Sequence, residues 1–276
     1  MVGLFTPTPI SVFTDPSTQV SLIEKLNPDI LDGYSSSLFL LAKELQKSGI
    51  DTIRPRSVIG GAELIDSYSR EFIEKIFEAQ FYDQYSSVEL ERMSWQCHVG
   101  KQYHIDADAL IMQFVDKNGE VSSGERGEII CTSLFNYAMP FIRYAIGDVG
   151  VPSDELCTCG RKLPLMKTVE GRKDSLLCLP NGRNLTPRTF TIAMNMFKFY
   201  MFIDQFRIIQ KKPDLFEFHL VLKEGSVQKD VVETEFITHL KKVLNLDQVR
   251  FDIKFVERIP LDKNGKFMAV VSNLKE

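Results

Sequence analysis

The chain has 276 residues, 44% of them hydrophobic and 25% charged, which suits two globular domains of ordinary size. A formal net charge of −4 excludes a general attraction to nucleic acid or anionic lipid, and no apolar run approaches the roughly 18 residues of a membrane helix. The opening Met1-Val-Gly-Leu-Phe-Thr-Pro7 has no basic flank or small-residue cleavage site, and five cysteines, an odd number, favour metal or core roles over a disulfide framework. The expected setting is cytoplasmic.

Residues 1–35 hold four prolines and weak periodicity, which predicts an irregular lead-in. Ser36 to Ser48 has the pattern of a serine-capped amphipathic helix ending in lysine. Arg56 to Gly61 reads as a strand running into a glycine turn, Asp66 to Ala79 as a second helix, and Gln80 to Tyr85 as a strand. Strand–helix–strand alternation of this kind predicts a parallel sheet with covering helices. From Ile105 to Val115 and from Gly127 to Ser133 the pattern is that of strands, the first of them followed by the Lys117-Asn-Gly119 turn, as in a smaller β-rich subdomain. After Gly171 come a helix (Pro187 to Met201), two strands (Gln205–Lys211, Phe216–Lys223), a helix (Val231–Leu244) and a strand (Val249–Glu257). This αββαβ unit predicts a separate domain, dividing the chain at 1–170 and 171–276.

Several residues could carry chemistry. Lys266 follows an Asn264-Gly265 turn, from which an ammonium can project into a cleft; the plain alternative is a solvated lysine, one of 33 basic residues. Asp148, after Gly147, can accept both hydroxyl protons of a ribose, and Arg172, after Gly171, offers a planar donor fork. The Gly60-Gly61-Ala62-Glu63 turn lets a flat ring approach the backbone. Tyr85 supplies a stacking face and Glu89 a carboxylate able to hold Mg²⁺, although strand-end turn chemistry would also account for both segments. Cys157 and Cys159, with Cys97 and His104, have the donor set of a tetrahedral zinc site, with His98 a rival for the imidazole and buried free thiols the alternative.

In order and spacing, Gly60-Gly-Ala-Glu63, Asp83-Gln-Tyr-Ser-Ser-Val-Glu89, Gly127-Glu-Ile-Ile-Cys-Thr-Ser-Leu134, Arg143-Tyr-Ala-Ile-Gly-Asp148, Cys157-Thr-Cys-Gly-Arg161, Gly171-Arg-Lys-Asp174 and Gly265-Lys266 resemble the phenylacetate–CoA ligase family of adenylate-forming enzymes and its CapK-type capsular-polysaccharide relatives. The resemblance covers nearly the whole chain and is weakest before Asn27. It implies an α/β fold, with part of a large AMP-binding domain, including an incomplete parallel-sheet subdomain and a β-rich one, followed by a small α+β lid. It also implies a two-step reaction: a carboxylate attacks the α-phosphate of ATP, and a thiol such as coenzyme A then displaces AMP.

By the same resemblance, Gly61, Ala62 and Glu63 would lie against the adenine with Tyr85 nearby. Glu89 would bind magnesium, Asp148 and Arg172 would hold the ribose, and Lys266 would neutralise charge on the α-phosphate. Asp174 would be the hinge of the lid. Cys97, His104, Cys157 and Cys159 would form a structural zinc clamp. Two departures stand out. Val88 replaces the hydroxyl residue of the family's Tyr-Gly-x-Ser/Thr-Glu motif, and the family's Ser/Thr/Gly-rich phosphate loop has no counterpart, since Ser35-Ser-Ser37 and Ser122-Ser-Gly124 lack its glycines and lysine. The expectations are therefore a ligase that is truncated or needs a complementary N-terminal half or a second copy, or else a catalytically degenerate module binding nucleotide, metal or a partner.

Overall fold

The computed structural model describes residues 7–173, 176–223, 228–263 and 266–274. Helix α1 (Pro16–Leu26) and strand β1 (Ile30–Tyr34) replace the expected irregular lead-in. The prolines misled: Pro16 sits in the first turn of α1, where no N–H is needed, and the Asp15 carboxylate caps the helix by accepting from Ser17 N at 3.1 Å. Helix α2 (Ser35–Ser48) forms as expected, but no serine caps it. Instead Glu63, 27 residues further on, accepts from Ser36 N at 2.8 Å.

Strand β2 (Ser57–Gly61), helix α3 (Ser67–Phe77) and strand β3 (Gln80–Ser87) follow, and β1, β2 and β3 pair in parallel. Leu31, Val58 and Phe81 stand side by side in that register and pack against Leu38, Leu41, Leu45, Ile73 and Phe77 of the two helices. Gly60 is obligatory here, because a Cβ would lie 2.1 Å from the Phe81 ring.

The β-rich part comprises β4 (Glu91–Gln96), β5 (Tyr103–Ile105), β6 (Leu110–Asp116), β7 (Gly119–Glu120), β8 (Gly127–Ser133), β9 (Tyr144–Ser153) and β10 (Leu165–Arg172). It is continuous with the parallel part, in one ten-stranded sheet of order β1-β2-β3-β4-β5-β10-β9-β8-β6-β7. The single strand expected from Ile105 to Val115 is broken after Ile105. There the buried Asp106 turns the chain and takes hydrogen bonds from Arg92 Nε (2.7 Å) and Trp95 Nε1 (2.9 Å).

Strands β11 (Leu177–Cys178) and β12 (Asn184–Leu185) form a small ribbon before helix α4 (Pro187–Asn195). That helix ends six residues earlier than Met201, and a 3₁₀ turn at Tyr200–Phe202 leads into the next strand. Strands β13 (Ile203–Lys212), β14 (Leu215–Leu222), β15 (Arg250–Phe255) and β16 (Val270–Ser272), with helix α5 (Lys229–Leu244), complete the αββαβ pattern and add an edge strand. Phe216, Phe218 and Leu220 on one face of β14 meet Phe190, Phe197, Phe236 and Leu240, giving this unit its own core. No described helix is long and apolar enough to cross a membrane.

Candidate active site

The carboxyl ends of β1, β2 and β3 lie together, with Tyr34, Gly61 and Gln84 adjacent in register. In open α/β sheets this end is where ligands bind. Gly61 is held there because a Cβ would sit 3.0 Å from Gln84 O, and the next residue, Ala62, adopts φ +62°, a left-handed conformation that a residue with a Cβ reaches only under local constraint. That turn aims Glu63 at two backbone amides. One carboxylate oxygen accepts from Ser36 N, and the other from Phe267 N at 2.6 Å.

Tyr85 donates its hydroxyl to Asp148 Oδ2 at 2.7 Å. Burial, then the Asp148 charge, holds the Tyr85 phenol far above its ordinary value, so it remains a donor. Asp148 is paired in register with Arg172 across β9 and β10, and a Cβ on Gly147 would lie 3.3 Å from Arg172 Nη2. Asp148 lies well inside β9. Glu89 accepts from the Tyr144 hydroxyl at 3.0 Å, and its carboxyl is held below the usual range by its own backbone amide, then by that hydroxyl. Asp148, Arg172, Tyr85, Glu89 and Tyr144 thus form one polar wall, in which the Arg172 charge is felt by Tyr85, Glu89 and Tyr144. Cys131, also against Asp148, has its thiol pushed up to about 12, chiefly by burial, and is inert at neutral pH.

Lys266 Nζ stands 5.8 Å from the centre of the Tyr34 ring, which places it at the same end of the sheet. Its backbone N–H is tied to Asp262 Oδ1 at 2.8 Å. The preceding Asn264-Gly265 turn and the proposed hinge Asp174 lie outside the described residues. Tyr34, Tyr144 and Phe267 were not singled out in the sequence. Only Tyr144, inside the Arg143–Asp148 block, carried a local signal.

Cys97, His104, Cys157 and Cys159 present one ligand atom each, all within 4.8 Å of one another. Cys97 Sγ is 3.6 Å from Cys157 Sγ, and Cys159 Sγ is 3.5 Å from His104 Nε2. A tetrahedral zinc ion would set such edges at about 3.8 and 3.5 Å. His98 is exposed and outside the cluster, which removes it as the rival imidazole. The backbone N–H of Arg161 heads the causes that bring the Cys159 thiol down to about 7, so a thiolate is accessible near neutral pH. All five cysteines are free.

The fold that carries these residues is that of the adenylate-forming ligases. A structure of 2-hydroxyisobutyryl-CoA ligase in the postadenylation state, in complex with R3-HIB-AMP, superimposes with a TM-score of 0.83 over 97% of this chain and 59% of that one, at 19% identity. Within that fold, the chain is similar to phenylacetate–CoA ligases and to CapK-type proteins. Residues 184–273 match the CapK C-terminal domain. The phenylacetate-coenzyme A ligase of Thermus thermophilus is 30% identical over 176 residues, 61% of this chain and 39% of that protein. Protein CapK of Staphylococcus aureus is 23% identical over 261 residues, 93% of this chain and 55% of that protein. The chain therefore spans about half the length of the curated relatives it matches, or less.

Proposed function

We propose that this chain carries the ribose wall and catalytic lysine of an ATP-dependent acyl ligase. In the first step a carboxylate oxygen of the acid attacks the α-phosphorus of ATP, and the bond to the β-phosphate oxygen breaks, releasing pyrophosphate. In the second, the sulfur of a thiol such as coenzyme A attacks the acyl carbon. The C–O bond to AMP breaks, and the thiol proton leaves to solvent. The observation that carries this reading is that Tyr85 holds the Asp148 carboxylate, which stands beside Arg172 in register, while Lys266 stands over Tyr34 at the carboxyl end of β1.

Asp148 and Arg172 would hold the ribose, with Tyr85 fixing the Asp148 carboxylate and Gly61, Ala62 and Glu63 flanking the adenine. Lys266 would offset the charge growing on the α-phosphate, a role that rewards a cation already in place. Glu89 would hold magnesium against the phosphates. The domain division at residue 170 and a hinge at Asp174 complete this reading, the second unit acting as a lid. Cys97, His104, Cys157 and Cys159 would hold a structural zinc ion, and the donor set and its spacing suit that metal.

A partner is part of the proposal. Strand β1 is the sheet's edge, and Phe135, Tyr137, Met139 and Ile142 are exposed between β8 and β9. A complementary N-terminal half would cover such surfaces, and a second copy of this chain is the alternative that sedimentation would reveal. A second reading, a module without ligase activity, is favoured by Val88, which is 99% exposed and has no hydroxyl to offer phosphate.

The test is pyrophosphate release from ATP with a panel of aryl and short acyl carboxylates. The wild-type chain should release it and Lys266→Ala should not. No release with any acid would leave the module reading in place of a stand-alone ligase.

A further inference from the structure

The C-terminal unit is fastened to the first 70 residues at three separated points. Glu63 accepts at once from Ser36 N at the start of α2 (2.8 Å) and from Phe267 N beside Lys266 (2.6 Å). Lys43 of α2 makes an ion pair with Asp204 of β13, with side chains 22% and 30% exposed. Tyr68 of α3 meets Tyr200 edge-to-face with ring centres 5.4 Å apart. These points lie around a cavity of about 110 Å³ lined by residues of both units, among them Phe39, Ile65 and Phe206, and elsewhere Thr186 donates its hydroxyl to Glu170 of β10 at 3.0 Å.

This docking matches one state of a related enzyme and not its others. Against 2-hydroxyisobutyryl-CoA ligase the TM-score is 0.83 in the postadenylation state, 0.62 in an open conformation and 0.58 in the thioesterification state, with 97–98% of this chain covered each time. The fastenings therefore belong to one placement of the lid.

We propose that Glu63 and the Lys43–Asp204 pair form a clasp that holds the lid in the placement where Lys266 faces the sheet, and that this clasp opens before the second half-reaction. Glu63 is thereby a positioning residue for Lys266. Its two carboxylate oxygens tether the backbone next to Lys266 to the start of α2, which fixes where the ammonium can reach. Both oxygens are needed, since one serves each amide. A carboxamide keeps one acceptor and turns an N–H₂ donor toward the other amide. Lys43 sits on the same helix as Ser36 but touches neither Phe267 nor Lys266 in any contact described, so its effect on that strand would pass through the lid as a body.

The proposal rests on the ligase reading only for the purpose of the clasp, and its test does not need catalysis. Amide hydrogen exchange of the full chain, resolved at Phe267, is compared for wild type, Glu63→Gln, Glu63→Ala and Lys43→Met. Local opening sets such exchange rates. Phe267 should be protected in the wild type and exchange at least about ten-fold faster in Glu63→Ala, with Glu63→Gln between them. Lys43→Met should also speed exchange at Phe267 while amides within β8 and β14 keep their rates, a coupling that a merely local ion pair would not produce.

An unprotected Phe267 amide in the wild type, or one indifferent to both Glu63→Ala and Lys43→Met, overturns the clasp. Should Glu63→Ala fail to fold, Lys43→Met decides alone. An intact clasp in a chain that releases no pyrophosphate counts against the ligase reading and leaves the clasp standing. If the chain does ligate, Lys43→Met, which removes a fastening away from the adenine, should lower kcat for adenylation more than it changes KM for ATP.

Discussion

The Tyr85 hydroxyl reaches Asp148 Oδ2 at 2.7 Å, joining β3 to β9 across the inner end of the sheet. An aromatic residue that the sequence offers as a stacking face thus also orients the carboxylate proposed to hold the ribose. Removing the hydroxyl takes one hydrogen bond away from the Asp148 carboxylate. Tyr85→Phe should cost about 1–2 kcal/mol in urea unfolding, as for a hydrogen bond to a charged group in a partly buried site. It should also weaken AMP binding by calorimetry, and Asp148→Asn should weaken it further. Equal AMP affinity in all three proteins would remove Asp148 from the ribose site.

Val88 offers the opposite kind of test. It is 99% exposed, so Val88→Thr should change stability by no more than about 0.5 kcal/mol. If Glu89 and its neighbours face phosphate, the added hydroxyl should tighten binding of ATP while leaving adenosine unaffected. A threonine that changes neither would place this turn away from the phosphates.

The cysteine cluster predicts a metal-dependent fold. Protein purified without chelator should contain close to one zinc per chain by mass spectrometry of the metal. Cys157→Ser or treatment with a strong chelator should lower Tm by several degrees, because a bound ion contributes its binding energy to the folded state. Metal-free protein with an unchanged Tm would mark the four residues as a reduced thiol cluster.

How much of this was legible in the sequence depended on how local each cause is. The αββαβ unit was, because its amphipathic periods are carried within each element. Strand β1 was not: its pairing with β2 lies in distant residues, and α1 had to be read through Asp15-Pro16, a helix start that the count of prolines obscured. Strand β9 holds Gly147, Gly150 and Pro152, poor strand formers held in the sheet by neighbours on both sides, Gly147 with φ +83°. In the site, residue chemistry alone offered Asp148, Arg172 and the four metal-type ligands as candidates, and the resemblance of their blocks to a known family was needed to link them, since Cys97 and Cys157 stand 60 residues apart. Glu63's bond to Phe267 spans 204 residues and had no sequence signal at all.

The C-terminal sheet holds a buried carboxylate whose pH dependence has a definite sign. Glu217, 8% exposed on β14, pairs with Lys254 at 2.5 Å, His219 at 2.8 Å and Lys211 at 3.5 Å. The Lys254 hydrogen bond is the largest cause holding its carboxyl down at about 2, against an ordinary value of 4.5. A depressed carboxyl contributes stability that is fully present above pH 4.5 and is lost as pH falls from 4.5 toward 2. The full shift would correspond to about 3 kcal/mol, and because both lysines are more than a third exposed the screened contribution is about 2 kcal/mol. Glu217→Gln should therefore be less stable than wild type by about that amount at pH 7, and the gap should narrow through the acid range and close near pH 2. Urea midpoints measured from pH 7 downward would show it, and a gap that stays constant with pH would mean that packing around Glu217, and not its charge, holds this face of the sheet.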